Sequence, residues 1–172
     1  DNNKENLMEI KAFNYKAGPG FDIADFRMYE QEIAQKPWML DVTYLIFGYE
    51  MSEEGVVTIK KVWKNKVWEM SRPMRSGANK TIWPINLQIK KGTVYKIRPA
   101  KWYGKSSKFS LFENKEDFLS AMEETVYKNK DTRDDGPEWL STVIDNYEKH
   151  YGVKLSIPRW SDVVAKYVCP LK

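Results

Sequence analysis

Leu7-Met8-Glu9-Ile10-Lys11-Ala12-Phe13 is the stretch on which the reading of this chain turns. Successive side chains of a β-strand point to opposite faces. Met8, Ile10 and Ala12 therefore share one face, and Leu7, Glu9, Lys11 and Phe13 share the other. That puts a carboxylate and an ammonium side by side. A carboxylate suits Mg²⁺, a hard cation that takes oxygen donors. A metal so held neutralises phosphate and lowers the pKa of bound water. A neighbouring ammonium can steady the charge that builds on phosphorus. By itself a Glu-x-Lys triplet is common, and its plain reading is a surface ion pair on an edge strand.

The surroundings of the triplet supply an order of elements. Gly18-Pro19-Gly20 breaks the chain, and Asp22 reads as a helix N-cap with Asp25 three residues on. Ile23, Phe26 and Ile33 mark the buried stripe of that helix, and Pro37 stops it. Val42 to Tyr49 is continuously apolar, the pattern of a strand buried on both faces of a sheet. Glu53-Glu54-Gly55 turns the chain, and Val56 to Trp63 returns as a hairpin partner. Ser71 to Lys80, with Pro73, Gly77 and three cations, reads as an exposed loop. Ile85 to Ile89 and Thr93 to Ile97 form a second hairpin turned at Lys90-Lys91-Gly92. The remainder is helical: one helix capped by Asn114, a second from about Asp135 with Pro137 just inside it and Gly152 closing it, and a third from Ser161 to Tyr167. The expectation is one α/β (α+β) domain over 1–172. Residues 1–110 hold a mixed sheet with basic hairpins, and 111–172 hold helices.

Composition narrows the function. No apolar run approaches the ~20 residues that cross a bilayer. The single Cys169 excludes an internal disulfide and points to a reducing cytoplasm. One Cys and one His150 cannot build a Cys/His zinc site. The net charge of +4 conceals a strong polarity. From Val56 to Lys105 there are 13 Lys or Arg residues against Glu69 alone, a local charge of +12, and the rest of the chain carries −8. Cations segregated in this way, interleaved with Trp63, Trp68, Trp83, Tyr95, Trp102 and Tyr103, mark a polyanion-binding face. Arg72, Arg75, Lys80, Lys90, Lys91 and Arg98 are the candidate phosphate contacts, with Arg72 and Arg75 also placed to read guanine. Two other functions fit the same composition. One is a non-catalytic nucleic-acid-binding module in which Tyr95, Trp102 and Tyr103 stack on bases. The other is a subunit whose acidic helices bind a protein.

Several segments together resemble the PD-(D/E)XK type II restriction endonucleases, and within them the NgoPII and NgoBV group. They are Glu9-Ile-Lys-Ala-Phe-Asn14, Gly18-Pro-Gly-Phe-Asp-Ile-Ala-Asp-Phe26, Asp41-Val-Thr-Tyr-Leu-Ile-Phe-Gly-Tyr49, and Leu87-Gln-Ile-Lys-Lys-Gly92 running to Tyr95-Lys-Ile-Arg-Pro99. The resemblance covers about the first hundred residues. It implies Mg²⁺-dependent cleavage of double-stranded DNA at a short specific sequence in a prokaryotic cytoplasm. It implies Glu9 as metal ligand, the Ile10 carbonyl as a second ligand and Lys11 beside the attacking water. A palindromic target further implies a homodimer.

The family pattern also carries an Asp, usually after Pro, on the strand before Glu-x-Lys. Here only Asp1 precedes Glu9, without a Pro and across a polar turn. Either Asp1 is a displaced ligand or the acid comes from an upstream segment or second chain docking beside Leu7 to Phe13. The latter is the expectation, so residues 1–172 alone are expected to be catalytically incomplete. A rival site would pair Asp41 with Gln88-Ile89-Lys90.

Overall fold

A computed structural model of the chain describes residues 7–76, 81–104 and 109–168. Strand β1 (Met8–Asn14) opens it and pairs in parallel with β3 (Thr43–Met51). β3 pairs antiparallel with β4 (Val57–Asn65), giving a mixed three-stranded sheet in the order β1-β3-β4. Parallel strands need a crossover. Here it is β2 (Ala24–Asp25) followed by helix α1 (Phe26–Gln35) and a short 3₁₀ turn at Pro37–Asp41.

The basic hairpin forms a sheet of its own. β7 (Leu87–Lys90) and β8 (Thr93–Ile97) pair antiparallel, and β2 adds to the far side of β8. Lys91 and Gly92, at φ 50° and 79°, make the two-residue turn, whose left-handed backbone matches strand twist. A third, two-stranded sheet joins β5 (Met74–Arg75) to β6 (Ile82–Trp83).

Three helices complete the domain: α2 (Lys115–Lys128), α3 (Gly136–Tyr151) and α4 (Trp160–Tyr167). Asn114 caps α2 by accepting the Asp117 N–H at 2.7 Å. Gly152 ends α3 in the left-handed conformation, at φ 71°. α3 is fastened to α1 where the Trp139 indole donates to the Glu30 carbonyl and the Asn146 amide to the Ala34 carbonyl. Phe26, Ile33, Leu40, Ile46, Ile85, Ile97, Phe118, Leu119 and Val143 are fully buried in one core that runs from the sheets through the helices. The α+β architecture expected from the sequence is the one observed.

Three local expectations are corrected. Asp25, not Asp22, is the α1 N-cap, accepting the Met28 N–H at 3.1 Å. The preceding residues are held extended by pairing with β8, through Ile23 N–H to the Ile97 carbonyl and the Ala24/Ile97 register. The described part of 71–80 is not an exposed loop. Ser71 and Pro73 are buried, Ser71 donates to the Val67 carbonyl, and among the described residues of the segment only Arg75 is exposed. Finally, β3 is not buried on both faces. Tyr44, Ile46 and Gly48 face the core, while Leu45, Phe47 and Tyr49 on the other face are half-buried.

Candidate active site

Glu9 and Lys11 lie on the core-facing side of β1, as the alternation requires, with Lys11 Nζ 2.9 Å from Glu9 Oε1. Glu9 sits in register with Tyr44 on β3. Burial, then the negative charge of Glu9, hold the Tyr44 hydroxyl above its ordinary pKa, so it stays protonated next to the carboxylate. Glu9 borders a cavity of about 370 Å³ whose walls include Asp25, Met28, Glu32 and Tyr44. Glu9 thus stands at an opening rather than on a featureless edge.

Backbone geometry adds a second oxygen. In a parallel ladder alternate residues direct their backbone groups to the same neighbouring strand. The Leu7 carbonyl accepts from Thr43 N–H, and Tyr15 N–H donates to the Tyr49 carbonyl, so the odd-numbered residues of β1 serve β3. The Ile10 carbonyl therefore points to the open edge, outside the β1–β3 ladder. Oxygen donors of the kind Mg²⁺ takes are thus adjacent: the Glu9 carboxylate and the Ile10 carbonyl. Asp25 shares the cavity, with one oxygen already committed to capping α1. Among the described residues, no three Asp, Glu, His or Cys side chains come together as a metal site. The residues fit the ion in chemistry and leave its shell short of a second carboxylate. Asp1 lies outside the described residues.

An aromatic cluster anchors the far end of β1. Phe13 stacks at 5.7 Å on both Trp63 and Tyr103 and meets the edge of Trp102 at 6.0 Å. Gly48 makes this possible, since a Cβ there would stand 2.9 Å from the Trp63 ring and 3.0 Å from Tyr15. The cluster fixes the strand that carries Glu9 and Lys11. It also engages Trp102 and Tyr103, two of the rings read as base-stacking candidates, in packing against other side chains. Tyr95 differs: it is exposed, with Lys90 Nζ 3.9 Å and Lys96 Nζ 5.1 Å from its ring centroid.

The basic candidates divide into free and committed groups. Arg75, Lys90 and Lys91 are exposed. Arg72 is half-buried, burial lowers its pKa, and among the described residues no carboxylate pairs with it. Arg98 is committed: its Nη1 donates to the Gly20 carbonyl at 2.8 Å and its Nε lies 3.0 Å from Asp22 Oδ1. Lys80 lies outside the described residues. Sequence reading missed Asp22 and Lys96, which form an ion pair across 74 positions. The Lys96 hydrogen bond, working against burial, and then the charges of Arg98, Lys96 and Lys11 hold the Asp22 carboxyl below its usual range. This places Asp22 within electrostatic reach of Lys11. Nothing local in the sequence announces it, because the β2–β8 pairing creates it.

Asp41, the acid of the rival site, is occupied elsewhere. Lys115 Nζ lies 2.7 Å from Asp41 Oδ1 and 2.7 Å from the Tyr147 hydroxyl, and Lys66 donates to the Asp41 backbone carbonyl. Lys90 rests over Tyr95 on the hairpin sheet. The two halves of that alternative thus have separate partners.

Comparison with known proteins agrees with this architecture. The type II restriction enzyme NlaIV of Neisseria lactamica is 53% identical over 162 residues, which is 94% of this chain and 64% of that enzyme. The type II restriction enzyme NgoBV of Neisseria gonorrhoeae is 42% identical over 98 residues, covering 57% of this chain and 51% of that one. The solved NlaIV restriction endonuclease superposes with a TM-score of 0.88 at 52% identity, over 94% of this chain and 64% of that structure. The chain therefore spans just under two thirds of the NlaIV length. The family described as NgoBV restriction endonuclease matches residues 1–167, and the chain belongs to that family.

Proposed function

We propose that residues 1–172 form the catalytic portion of a sequence-specific, Mg²⁺-dependent endonuclease that hydrolyses phosphodiester bonds of double-stranded DNA. The observation that carries this reading is Glu9 at the mouth of a cavity, with Lys11 2.9 Å away on the same core-facing side of β1, in a chain of restriction-endonuclease family. Glu9 and the Ile10 carbonyl would hold Mg²⁺. The ion would supply charge neutralisation at the phosphate and a more acidic bound water. Lys11 orients the attacking water and offsets charge developing on the phosphoryl oxygens.

The second acid comes from Asp1 or from polypeptide pairing along the open edge of β1, where the Ile10 carbonyl points. Arg72, Arg75, Lys90 and Lys91 contact phosphates or guanine edges. Lys80 is a further candidate, and Arg98 contributes through the Asp22 cluster. The enzyme acts as a homodimer on a palindromic site, in the bacterial cytoplasm. No helix among the described residues is long and apolar enough to cross a membrane.

Plasmid DNA incubated with Mg²⁺ or with EDTA tests the reading. Residues 1–172 joined to their family's additional segment should cut at one short sequence only with Mg²⁺. Residues 1–172 alone should bind DNA and cut poorly. Binding without metal-dependent cutting in either form would favour the non-catalytic module. Robust specific cutting by 1–172 alone, lost in Asp1→Ala, would make Asp1 the second ligand.

A further inference from the structure

We propose that the outer face of the β1-β3-β4 sheet is a protein interface, occupied by polypeptide equivalent to the part of NlaIV that lies outside the match. This inference does not depend on the nuclease reading. Directly paired residues of adjacent strands share a face. The register therefore builds rows across the outer face: Ile10–Leu45–Lys64, Ala12–Phe47–Val62 and Asn14–Tyr49–Ile59. Ile10 is 66% exposed, Ile59 50% and Val62 48%, and Met8 at 50% extends the patch along β1. These are neighbours on one continuous surface rather than scattered single residues, and folded proteins seldom leave such patches to water.

The sequence of β3 agrees. A strand with one solvated face alternates apolar and polar residues. Tyr44-Leu45-Ile46-Phe47 does not alternate, yet Tyr44 and Ile46 are buried while Leu45 and Phe47 are only half-buried. β1 likewise spends Met8, Ile10 and Ala12 on the bare side. The composition is that of a sheet built to be covered on both faces, and the described residues fully cover one.

Two observations select the occupant. NlaIV, superposing at a TM-score of 0.88, extends well beyond the 64% of its chain matched here, so related enzymes carry further polypeptide for the same framework. Lys64 stands within the apolar rows. Face-to-face pairing of two copies would bring like charges into an apolar interface, whereas a distinct segment can offer an acidic partner. The occupant is therefore an amphipathic segment with an apolar stripe and at least one carboxylate, not a second copy.

Co-expression of residues 1–172 with a tagged polypeptide comprising the unmatched part of NlaIV tests this. The two should purify as a 1:1 complex. The double variant Ile10→Glu/Val62→Glu should lower the recovered complex at least tenfold, and Val153→Glu, on an exposed residue beyond α3, should leave it unchanged. Purified alone, the double variant should keep the far-UV circular dichroism and melting of the parent, because both side chains stand in solvent. Failure to co-purify, a complex indifferent to the double variant, or loss of fold in that variant alone would each overturn the proposal. So would a homodimer of the parent that the double variant dissociates, which would make the occupant a second copy.

Discussion

Two carboxylate–lysine pairs in this molecule have nearly the same separation and opposite surroundings. Glu9 and Lys11 meet at 2.9 Å and Asp41 and Lys115 at 2.7 Å. Around Asp41 the valences are filled. Lys115 also donates to Tyr147, the Tyr147 hydroxyl reaches the second Asp41 oxygen at 3.4 Å, and Trp68 lies against the ammonium. Burial opposes the charge on Lys115, but hydrogen bonds to Asp41 and Tyr147 outweigh it and raise its pKa. Around Glu9 the side chain is half-exposed at a cavity, and the next residue's carbonyl faces an open edge. A saturated pair ties α2 and α3 to the start of β3, whereas an open one has capacity for a ligand. The number of remaining partners, not the pairing distance, separates a structural ion pair from a candidate catalytic one.

Substitutions at the lysines should separate the two pairs most widely. Lys11→Ala should reduce Mg²⁺-dependent cleavage by on the order of 10³-fold. Its unfolding free energy from chemical denaturation should stay within about 0.5 kcal/mol of the parent. Lys115→Met should do the reverse. Leaving the Asp41 carboxylate partly buried without its cation should destabilise the fold by about 1–3 kcal/mol, discounted from a fully buried pair because both side chains keep some exposure. Cleavage per folded molecule should be retained. If Lys115→Met abolished cleavage without unfolding the protein, the contrast between the pairs would fail.

Glu30 extends the comparison to a carboxylate with no lysine. It is 2% exposed, its Oε2 has no hydrogen-bond partner, and burial, then the charge of Asp135, raise its pKa to about 7. The folded state therefore binds this proton more tightly than the unfolded chain does. Its contribution to stability is full below about pH 4.5 and falls as pH rises towards 7. Glu30→Gln should remove that decline, gaining about 1–3 kcal/mol relative to the parent at pH 8 and little at pH 4.5. Equal effects at both pH values in urea titrations would show that Glu30 is not protonated on folding.

The smallest effect expected is on salt dependence. Replacing Lys90 and Lys91 together should flatten the slope of log affinity for DNA against log salt by up to ~2. Arg98→Ala, whose guanidinium is shared with Asp22 and Gly20, should change it by less. A slope unchanged in the double variant would remove the β7–β8 turn from the DNA face.

What was legible in the sequence is what depends on neighbours along the chain. The alternation of Leu7 to Phe13 gave the shared face of Glu9 and Lys11. Asn114, Pro137 and Gly152 gave helix ends from local hydrogen bonding and backbone preference. The errors fall where distant pairing overrides local preference. Asp22 has every property of a cap, but β2 pairs with β8 and carries the helix start to Asp25. The cations of 56–105 could be counted but not sorted, because whether Arg98 meets phosphate or Asp22 depends on a contact across 76 positions. The continuous apolar run of β3 correctly predicted a strand, but not its burial, since only the Tyr44, Ile46 and Gly48 face is buried. The outer cover is not found among the described residues.

The central claim is that Glu9 is a metal ligand rather than a DNA contact or a structural ion-pair partner. The most direct test is Glu9→Ala in the cleaving enzyme, with cleavage and binding measured on the same target duplex. Cleavage in Mg²⁺ should fall by on the order of 10³-fold, while affinity for that duplex in EDTA stays within about twofold. Cleavage at the parental rate would contradict the account and return attention to Asp41 and Lys90.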